Sequence, residues 1–571
     1  MKITLKTGIL EIESNETLKE LVDYGSRINK KRGFLFVSKV LGKHLPTRPS
    51  TMQKTYQELS SLIPASDEPT LFIGFAETAT ALGQGVFEEA NLPNSFYIHS
   101  TRFQTSQKIF FSFFEEHCHA PSHIFYTPKD IELRDMLSKI TRVILIDDEV
   151  STGNTANNLV KELKKVLPLA KEYYLLTILN WTSTTYENFE YLSLHKGTFN
   201  FIPKEMDFVS TVISEPKEVK NLDKIIPYNF GRYGVKKLDL DFSKYLKIEE
   251  LKKLKVLVLG TAEFMYPPYL LAKYLEDNYI ESYFQASTRS PVNIDGAITS
   301  KLYFKDNYFE EIDNFLYNVS DRVYDKVFLC YETTKLPQNF DLKKQLSKYF
   351  DVEEIFLMFS GSYLKEDVEF LVKIIDIEFT SVDTKEKLIQ SGALHYSQMI
   401  SPEYEPSPEY LEIFYKAFAL NKERFAKDIL TLSYNLSKKK DIVLVSLLRA
   451  GTPIGVLLKR TLKDIFDGEV NHYSISIIRD REIDELALKH ILKHNPNSEF
   501  IFVDGWTGKG VINRELKYFI EKFNKKNNSN ISDNLYVISD IASVSDFSVN
   551  NDDYLIPSSA LNSTISGLVI S

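Results

Sequence analysis

Cysteine is almost missing from this chain. Cys118 and Cys330 are the only two in 571 residues. They are too few and too far apart for a disulfide framework or a cysteine-based zinc site, and they suit a reducing compartment. An excess of positive charge is missing too: Lys and Arg number 69 against 78 Asp and Glu, a formal net charge of −9. No global basic field exists to collect nucleic acid, although local basic pockets are allowed. No apolar run approaches the roughly 18 residues of a membrane span. The opening "MKITLKTGILEIESNETLKEL" is broken by charge every few residues and lacks the apolar centre of a signal peptide. No repeat of fixed period is visible. These absences predict a cytoplasmic protein with no membrane and no nucleic-acid partner.

What is present is ordinary globular composition, 43% hydrophobic and 26% charged. Short apolar strands alternate with longer amphipathic stretches, the pattern of parallel α/β sheets. Three regions carry it. The first holds "LFIGFA" (71–76) and "VILID" (143–147); the second opens with "VLVLG" (256–260); the third holds "DIVLVSLL" (441–448), "FIFVDG" (500–505) and "LYVISD" (535–540). Candidate joints are 212–224 and the segment between "FLCYETTKLPQNFDL" (328–342) and "SPEYEPSPEY" (401–410), whose prolines should discourage regular structure. The Asn-rich "NKKNNSNISDN" (524–534) reads as an exposed loop. The expected divisions are 1–215, 216–360 and 361–571.

The stretch "VILIDDEVSTGNT" (143–155) is the most informative. An apolar strand over 143–146 ends on Asp147 and Asp148, whose like charges repel and need a cation or several hydroxyls to compensate them. The turn 151–155 then leads into the helical "ANNLVKELKKVL", where backbone amides and hydroxyls can wrap a phosphate. Carboxylates only accept hydrogen bonds, so vicinal diols or a magnesium shell are their natural partners. A diol beside a phosphate describes a 5-phosphoribose. Walker-type nucleotide binding is disfavoured, because no Gly-Lys-Ser/Thr closes the loop.

With four apolar residues, two acids and a small Thr/Gly turn, this stretch resembles the signature of the type I phosphoribosyltransferases. Glu149 departs from it, standing where an apolar residue is usual. The resemblance implies that Asp147 and Asp148 hold the ribose diol with Mg2+, and that Ser151, Thr152, Gly153, Asn154 and Thr155 cradle the 5-phosphate, with Glu149 beside them. It also implies that "GFAETATALG" (74–83), with Gly74, Ala76, Glu77 and Thr78, is the pyrophosphate loop, Glu77 replacing a basic residue. Lys43 and Arg102, with Lys39 and His44 nearby, are the cations expected to neutralise phosphates. "FFEEHCHAPSH" (113–123) matches the place of a mobile catalytic loop, in which His117, His119 or Lys43 would protonate or screen the leaving oxygens. Two alternatives at that loop are a metal held by His117, His119 and His123, and a thiol nucleophile at Cys118. Neither has the spacing its chemistry needs. Ser151 stands where hypoxanthine-type enzymes place an aspartate base, so a 6-oxopurine acceptor is disfavoured.

Thr288, Arg289, Ser290 and Pro291 spell the TRSP motif, and 256–272 resembles that domain's opening strand and helix. The resemblance implies a partner of orotate-phosphoribosyltransferase-like domains in bacterial tellurium-resistance and stress clusters. Arg289 is either an anion site or a turn residue, and Glu263 is ambiguous in the same way. The third region resembles a second, divergent transferase. "LLRAGTPIG" (447–455) supplies Arg449, Ala450 and Gly451, and "FIFVDGWTGKGVI" (500–512) supplies Asp504, Gly505, Thr507, Gly508, Lys509 and Gly510. Arg479, Asp480, Arg481 and the hydroxyl-rich 557–567 complete that list.

The expected fold is therefore α/β: two type I phosphoribosyltransferase-like parallel-sheet domains joined by a smaller α/β TRSP domain. The expected activity is magnesium-assisted transfer from 5-phosphoribosyl diphosphate to a base- or nucleoside-like acceptor. A non-catalytic sensor of phosphoribosyl ligands, or a hydrolase of N-ribosyl phosphates acting on a ribose 5-phosphate-type molecule, is the alternative. A homodimer is compatible with all three.

Overall fold

The computed structural model describes residues 1–14, 17–27, 32–113, 123–204, 222, 225–359, 367–373, 379–401, 407–478, 483–552 and 554. The chain divides into two compact units, 1–360 and 361–571. The first takes in both the first and second regions of the sequence; the second is the third region.

Two parallel sheets organise the first unit. One is five-stranded, with Thr70–Gly74, Ser95–His99, Arg142–Val150, Glu172–Asn180 and Glu190–Lys196 as its strands in chain order. Across the sheet they run second, first, third, fourth, fifth, all parallel. The order reverses between the first and third strands, which is where open α/β sheets leave a crevice for ligands. Helices Ala79–Ala90 and Asn154–Val166 follow those two strands. The strands are almost wholly buried, as sheets covered on both faces require: Val143, Ile144, Leu145 and Ile146 are each 0% exposed.

The other sheet is four-stranded, with Lys255–Gly260, Glu281–Ala286, Lys326–Tyr331 and Asp351–Phe356. Its order is second, first, third, fourth, again parallel, so its reversal lies between Lys255–Gly260 and Lys326–Tyr331. One hydrophobic cluster runs through both sheets, joining Met52, Tyr56 and Tyr97 to Tyr266, Tyr269 and Phe284. Tyr56 meets Tyr269 edge-on at 5.3 Å. A small antiparallel sheet of Lys2–Leu5, Gly8–Glu13 and Thr198–Pro203 brings the two ends of the first region together.

The second unit repeats the plan. Its central strands Ile442–Leu447, Asn471–Ile475, Glu499–Val503 and Leu535–Asp540 lie in the order second, first, third, fourth, all parallel.

Two local expectations change. Most of the joint 212–224 lies outside the described residues. At 401–410, Pro408 does not interrupt regular structure but begins the helix Pro408–Ser437: Ser407 accepts from the Tyr410 amide at 3.2 Å. Proline is suited to a first helical position because it has no N–H to lose there. The expected loop at 524–534 starts late, since buried Phe523 carries the helix Val511–Asn527 through its first residues. Asn528 ends it with φ 48°. Among the described residues no helix is long and apolar enough to cross a membrane.

Candidate active site

The strand Arg142–Val150 runs past its acids. On one side it pairs with Glu172–Asn180 as far as Val150, with Asp147 opposite Thr177 and Glu149 opposite Leu179. On the other, pairing with Thr70–Gly74 stops at Ile146 opposite Gly74, and the Phe75 amide donates to the Ile146 carbonyl at 3.2 Å. Beyond that point the first strand turns away, and the edge of Asp147 to Val150 borders the crevice.

Asp147 and Asp148 are half-buried there. The Asp148 amide donates to Asp147 Oδ1 at 3.0 Å. Burial, then the charge of Asp148, holds Asp147 well above the usual carboxylate range. Burial and Glu149 push Asp148 up to about 6. Among the described residues neither forms an ion pair. Glu149 does, with Arg32. The cation that reaches the acidic run is thus Arg32, where sequence reading favoured the lysines that follow it. Lys39 instead pairs with Asp23 at 3.1 Å.

The turn after the strand is built for a phosphate. Gly153 sits at φ 77° as the residue before helix Asn154–Val166. Ser151, Thr152 and Asn154 are exposed, and Thr155 is half-buried. The first amides of a helix lack intrahelical partners and carry its positive dipole end. Two tyrosines that sequence reasoning missed lie over this turn. Tyr186 donates to Asn154 Oδ1 at 2.6 Å, and a Cβ on Gly153 would run into the Tyr191 hydroxyl. That hydroxyl is buried and has no hydrogen-bond partner among the described residues. Both lie more than thirty residues downstream, Tyr191 on the edge strand Glu190–Lys196 and Tyr186 in the segment before it, and neither carried a signal in the sequence.

The loop after the first strand is placed differently. Ala76 donates its amide to Ser100 Oγ at 2.8 Å, and Ala79 donates to the Phe75 carbonyl at 2.9 Å. Glu77 faces the second sheet. Its carboxylate lies 3.2 Å from Lys43 Nζ and 3.9 Å from Arg289 Nε, and accepts from Thr288 Oγ1 at 3.2 Å. Arg289 also donates to Glu310 at 2.9 Å. Burial alone would raise Glu77, but Lys43, then Arg289 and Arg102, outweigh it and hold the carboxyl below its ordinary value. Lys43 is 2% exposed, and burial lowers its proton affinity against the pull of Glu77. Thr78 is half-buried in this loop, and the Arg102 side chain is exposed.

Nearby, the carboxyl ends of the second sheet complete a buried charge network. Glu263 accepts from Thr101 Oγ1 at 2.6 Å and from the Arg102 amide at 2.8 Å. Arg232 grips Glu332 with two nitrogens, at 3.0 and 3.3 Å, and Tyr308 donates to Glu332 at 2.8 Å. Arg289 and Glu263, ambiguous in the sequence, are therefore parts of the junction between the two sheets.

His117, Cys118 and His119 lie outside the described residues. His123 is buried and bonded to Ser100 Oγ at 2.7 Å. Cys330 is fully buried, and burial pushes its thiol up, so it is not a nucleophile. Among the described residues no group of three or more His, Cys, Asp or Glu could hold a metal ion. The two carboxylates Asp147 and Asp148 fit a magnesium ion completed by substrate oxygens and water, not one caged by protein.

In the second unit, the loops of Arg449 to Gly451 and of Asp504 and Gly505 adjoin at the reversal between Ile442–Leu447 and Glu499–Val503. A Cβ on Gly451 would run into the Val503 carbonyl, and one on Gly505 would lie 3.7 Å from Ala450 Cβ. Burial pushes Asp504 up to about 7, and its carboxylate accepts from the Gly505 amide at 2.7 Å. Gly508 and Lys509 are exposed, and Gly510, at φ 66°, opens helix Val511–Asn527. Thr507 is buried against Asp540. Arg479, Asp480, Arg481 and 557–567 lie outside the described residues. Ser446 and His472 bond to each other at 2.7 Å, but both are buried beneath Gly455 and serve packing.

These sites define the first unit as a phosphoribosyltransferase-like α/β domain with a second parallel sheet appended. Residues 21–205 match a phosphoribosyl transferase family, PRTase_2, and residues 231–348 match the TRSP domain that stands C-terminal to it. The chain therefore carries a phosphoribosyltransferase-like domain followed by a TRSP domain. Residues 361–571 match the tellurite-like stress resistance cysteine protease StiP. Cysteine protease StiP of Acinetobacter baylyi is 45% identical over 213 residues, 37% of this chain and 55% of that protein. The match thus spans about half the length of that relative. Among solved structures, adenine phosphoribosyltransferase from Thermoanaerobacter pseudethanolicus is 13% identical, covering 32% of this chain and 98% of its own, with a TM-score of 0.25. The Trypanosoma brucei enzyme with AMP, pyrophosphate and ribose-5-phosphate is 16% identical, covering 34% and 86%, with a TM-score of 0.23.

Proposed function

We propose that the first unit moves a 5-phosphoribosyl group to or from a base- or nucleoside-like molecule, at the crevice beside Asp147. The observation that carries this is the unpaired edge of the third strand. It presents two acids that form no ion pair among the described residues and, within the same run of residues, an exposed hydroxyl-rich turn at a helix N-terminus. Asp147 and Asp148 accept from the ribose hydroxyls. Ser151 to Thr155 take the 5-phosphate, and Arg32 screens Glu149 so that the acidic run does not repel it. Magnesium, when bound between the acids and the substrate, would neutralise charge at the reacting sugar. A role for His117 and His119 as proton donors belongs to this reading, as does a place in stress resistance of the tellurite type.

The test is calorimetric titration of the whole chain with ribose 5-phosphate in magnesium. Asp147→Asn with Asp148→Asn should abolish the first unit's binding event, leaving only that of the second unit, while the melting profile stays cooperative. Undiminished affinity in that variant would remove the ribose assignment.

A second reading covers 361–571. Its reversal point again sets an acid, Asp504, and a glycine- and lysine-bearing turn beside an arginine-bearing loop, which supports a second phosphorylated ligand. A thiol protease within this segment is not supported, because both cysteines of the chain, Cys118 and Cys330, lie before it.

A further inference from the structure

The crevice has two walls, and only one is open to an anion. On the third-strand wall the turn 151–155 offers exposed hydroxyls at a helix start. On the first-strand wall, the loop between Gly74 and helix Ala79–Ala90 also leads into a helix, but three of its amides are held within the fold. The amides of Phe75, Ala76 and Ala79 are bonded to Ile146, Ser100 and Phe75. The buried cations beside it, Lys43 and Arg289, are matched by Glu77 and Glu310. The Thr288 hydroxyl donates to Glu77. Glu77 also stands just before the helix, where a negative charge meets the positive end of the dipole.

We infer that Glu77 is a built-in anion occupying the position a C1 diphosphate would need, so that the donor taken by this unit is an N-ribosyl 5-monophosphate with an uncharged base as leaving group. This rests on the phosphoribosyl reading above and narrows it. A diphosphate projecting across the crevice would bring several negative charges against a carboxylate whose buried cations, Lys43 and Arg289, are already matched, with the exposed Arg102 the remaining cation beside it. Displacing Glu77 would strand a buried carboxylate without its partners. An uncharged base asks for none of those cations. In the step, the C1–N bond breaks with its electron pair leaving on the base nitrogen. Water, or an acceptor nitrogen, forms the new bond to C1. The proton that nucleophile loses ends on the departing base.

The experiment titrates the whole chain carrying Asp504→Asn and Lys509→Ala, which silence the second unit's site, in magnesium, with ribose 5-phosphate, 5-phosphoribosyl diphosphate and pyrophosphate. The expected result is that 5-phosphoribosyl diphosphate binds no tighter than ribose 5-phosphate, and that pyrophosphate neither binds nor competes, because Glu77 already holds the buried cations. Glu77→Ala, which frees Lys43 and Arg289, should gain pyrophosphate affinity. The comparison of the three ligands with Glu77 in place decides the matter even if that variant fails to fold. A diphosphate donor bound more than about tenfold tighter than ribose 5-phosphate would correspond to a real added contact of about 1.4 kcal/mol and overturn the inference alone. Failure of both ribosyl ligands to bind would overturn the phosphoribosyl reading and this inference together.

Discussion

At the scale of single residues, the acidic pair governs how the site responds to pH. Asp148 rises from an ordinary 3.8 to about 6 because burial and Glu149 disfavour its charge. A raised carboxyl contributes stability that is present below the unfolded value and lost as pH rises through the folded one. The ligand-free protein therefore carries a penalty at neutral pH that Asp148→Asn removes. The melting temperature of that variant should exceed wild type at pH 7.5, and the difference should shrink as pH falls through about 6. A difference that grows toward acid would mean that Asp148 is stabilised as an anion by a partner. In the second unit, exposed Lys509 can reach a phosphate directly. Lys509→Ala, in a background where Asp147 and Asp148 are both Asn, should lower affinity for ribose 5-phosphate by tenfold to a hundredfold, about 1.5–3 kcal/mol. Calorimetry on the two chains checks it. Much of this residue list was legible: an acidic pair after an apolar run, or a lysine inside a glycine turn, announces its chemistry locally. Arg32, Tyr186 and Tyr191 were not, because what brings them to the turn is strand order, which no local spacing encodes.

At the scale of elements, the strand–turn–helix runs were readable from periodicity and glycine placement, and the sheets assembled from them were not. Nothing in "VILIDD" says that its partner on one side stops at Ile146 while the other continues to Val150. That mismatch is what opens the crevice. The prolines of 401–410 misled for a related reason, since Pro408 breaks a helix interior but starts one well. The turn at Gly153 offers the sharpest test of this level. Its φ of 77° and the Tyr191 hydroxyl both oppose a side chain, so Gly153→Ala should cost about 1–2 kcal/mol from the left-handed backbone alone. It should also push Tyr191 off the turn. The expected outcome is a lower melting temperature together with weakened ribose 5-phosphate binding. A loss of stability with unchanged affinity would separate Tyr191 from the ligand.

At the scale of the whole molecule, the second sheet is part of the first unit's interior. The carboxyl ends of the two sheets share one network, and what reads in sequence as a "TRSP" signature supplies Thr288 and Arg289 to Glu77. Residue spacing could suggest an anion site at Arg289 but not that the anion comes from the preceding region of the same chain. A chain ending at residue 215 would lose Tyr266, Tyr269 and Phe284 from the common core. It would also leave Glu77 without Arg289, and Thr101 without Glu263. Each broken buried charge contact costs about 3–5 kcal/mol, comparable in sum to the whole stability of a domain. Residues 1–215 alone should therefore show no cooperative melt and should bind a hydrophobic dye. Residues 1–360 should melt cooperatively, and Arg232→Met within them should lower the midpoint by stranding Glu332 and Glu263. Differential scanning calorimetry of the three chains decides the point. A cooperative transition from 1–215 near that of 1–360 would show that the first sheet folds without its neighbour and that the buried network is an ornament of the junction, not its cement.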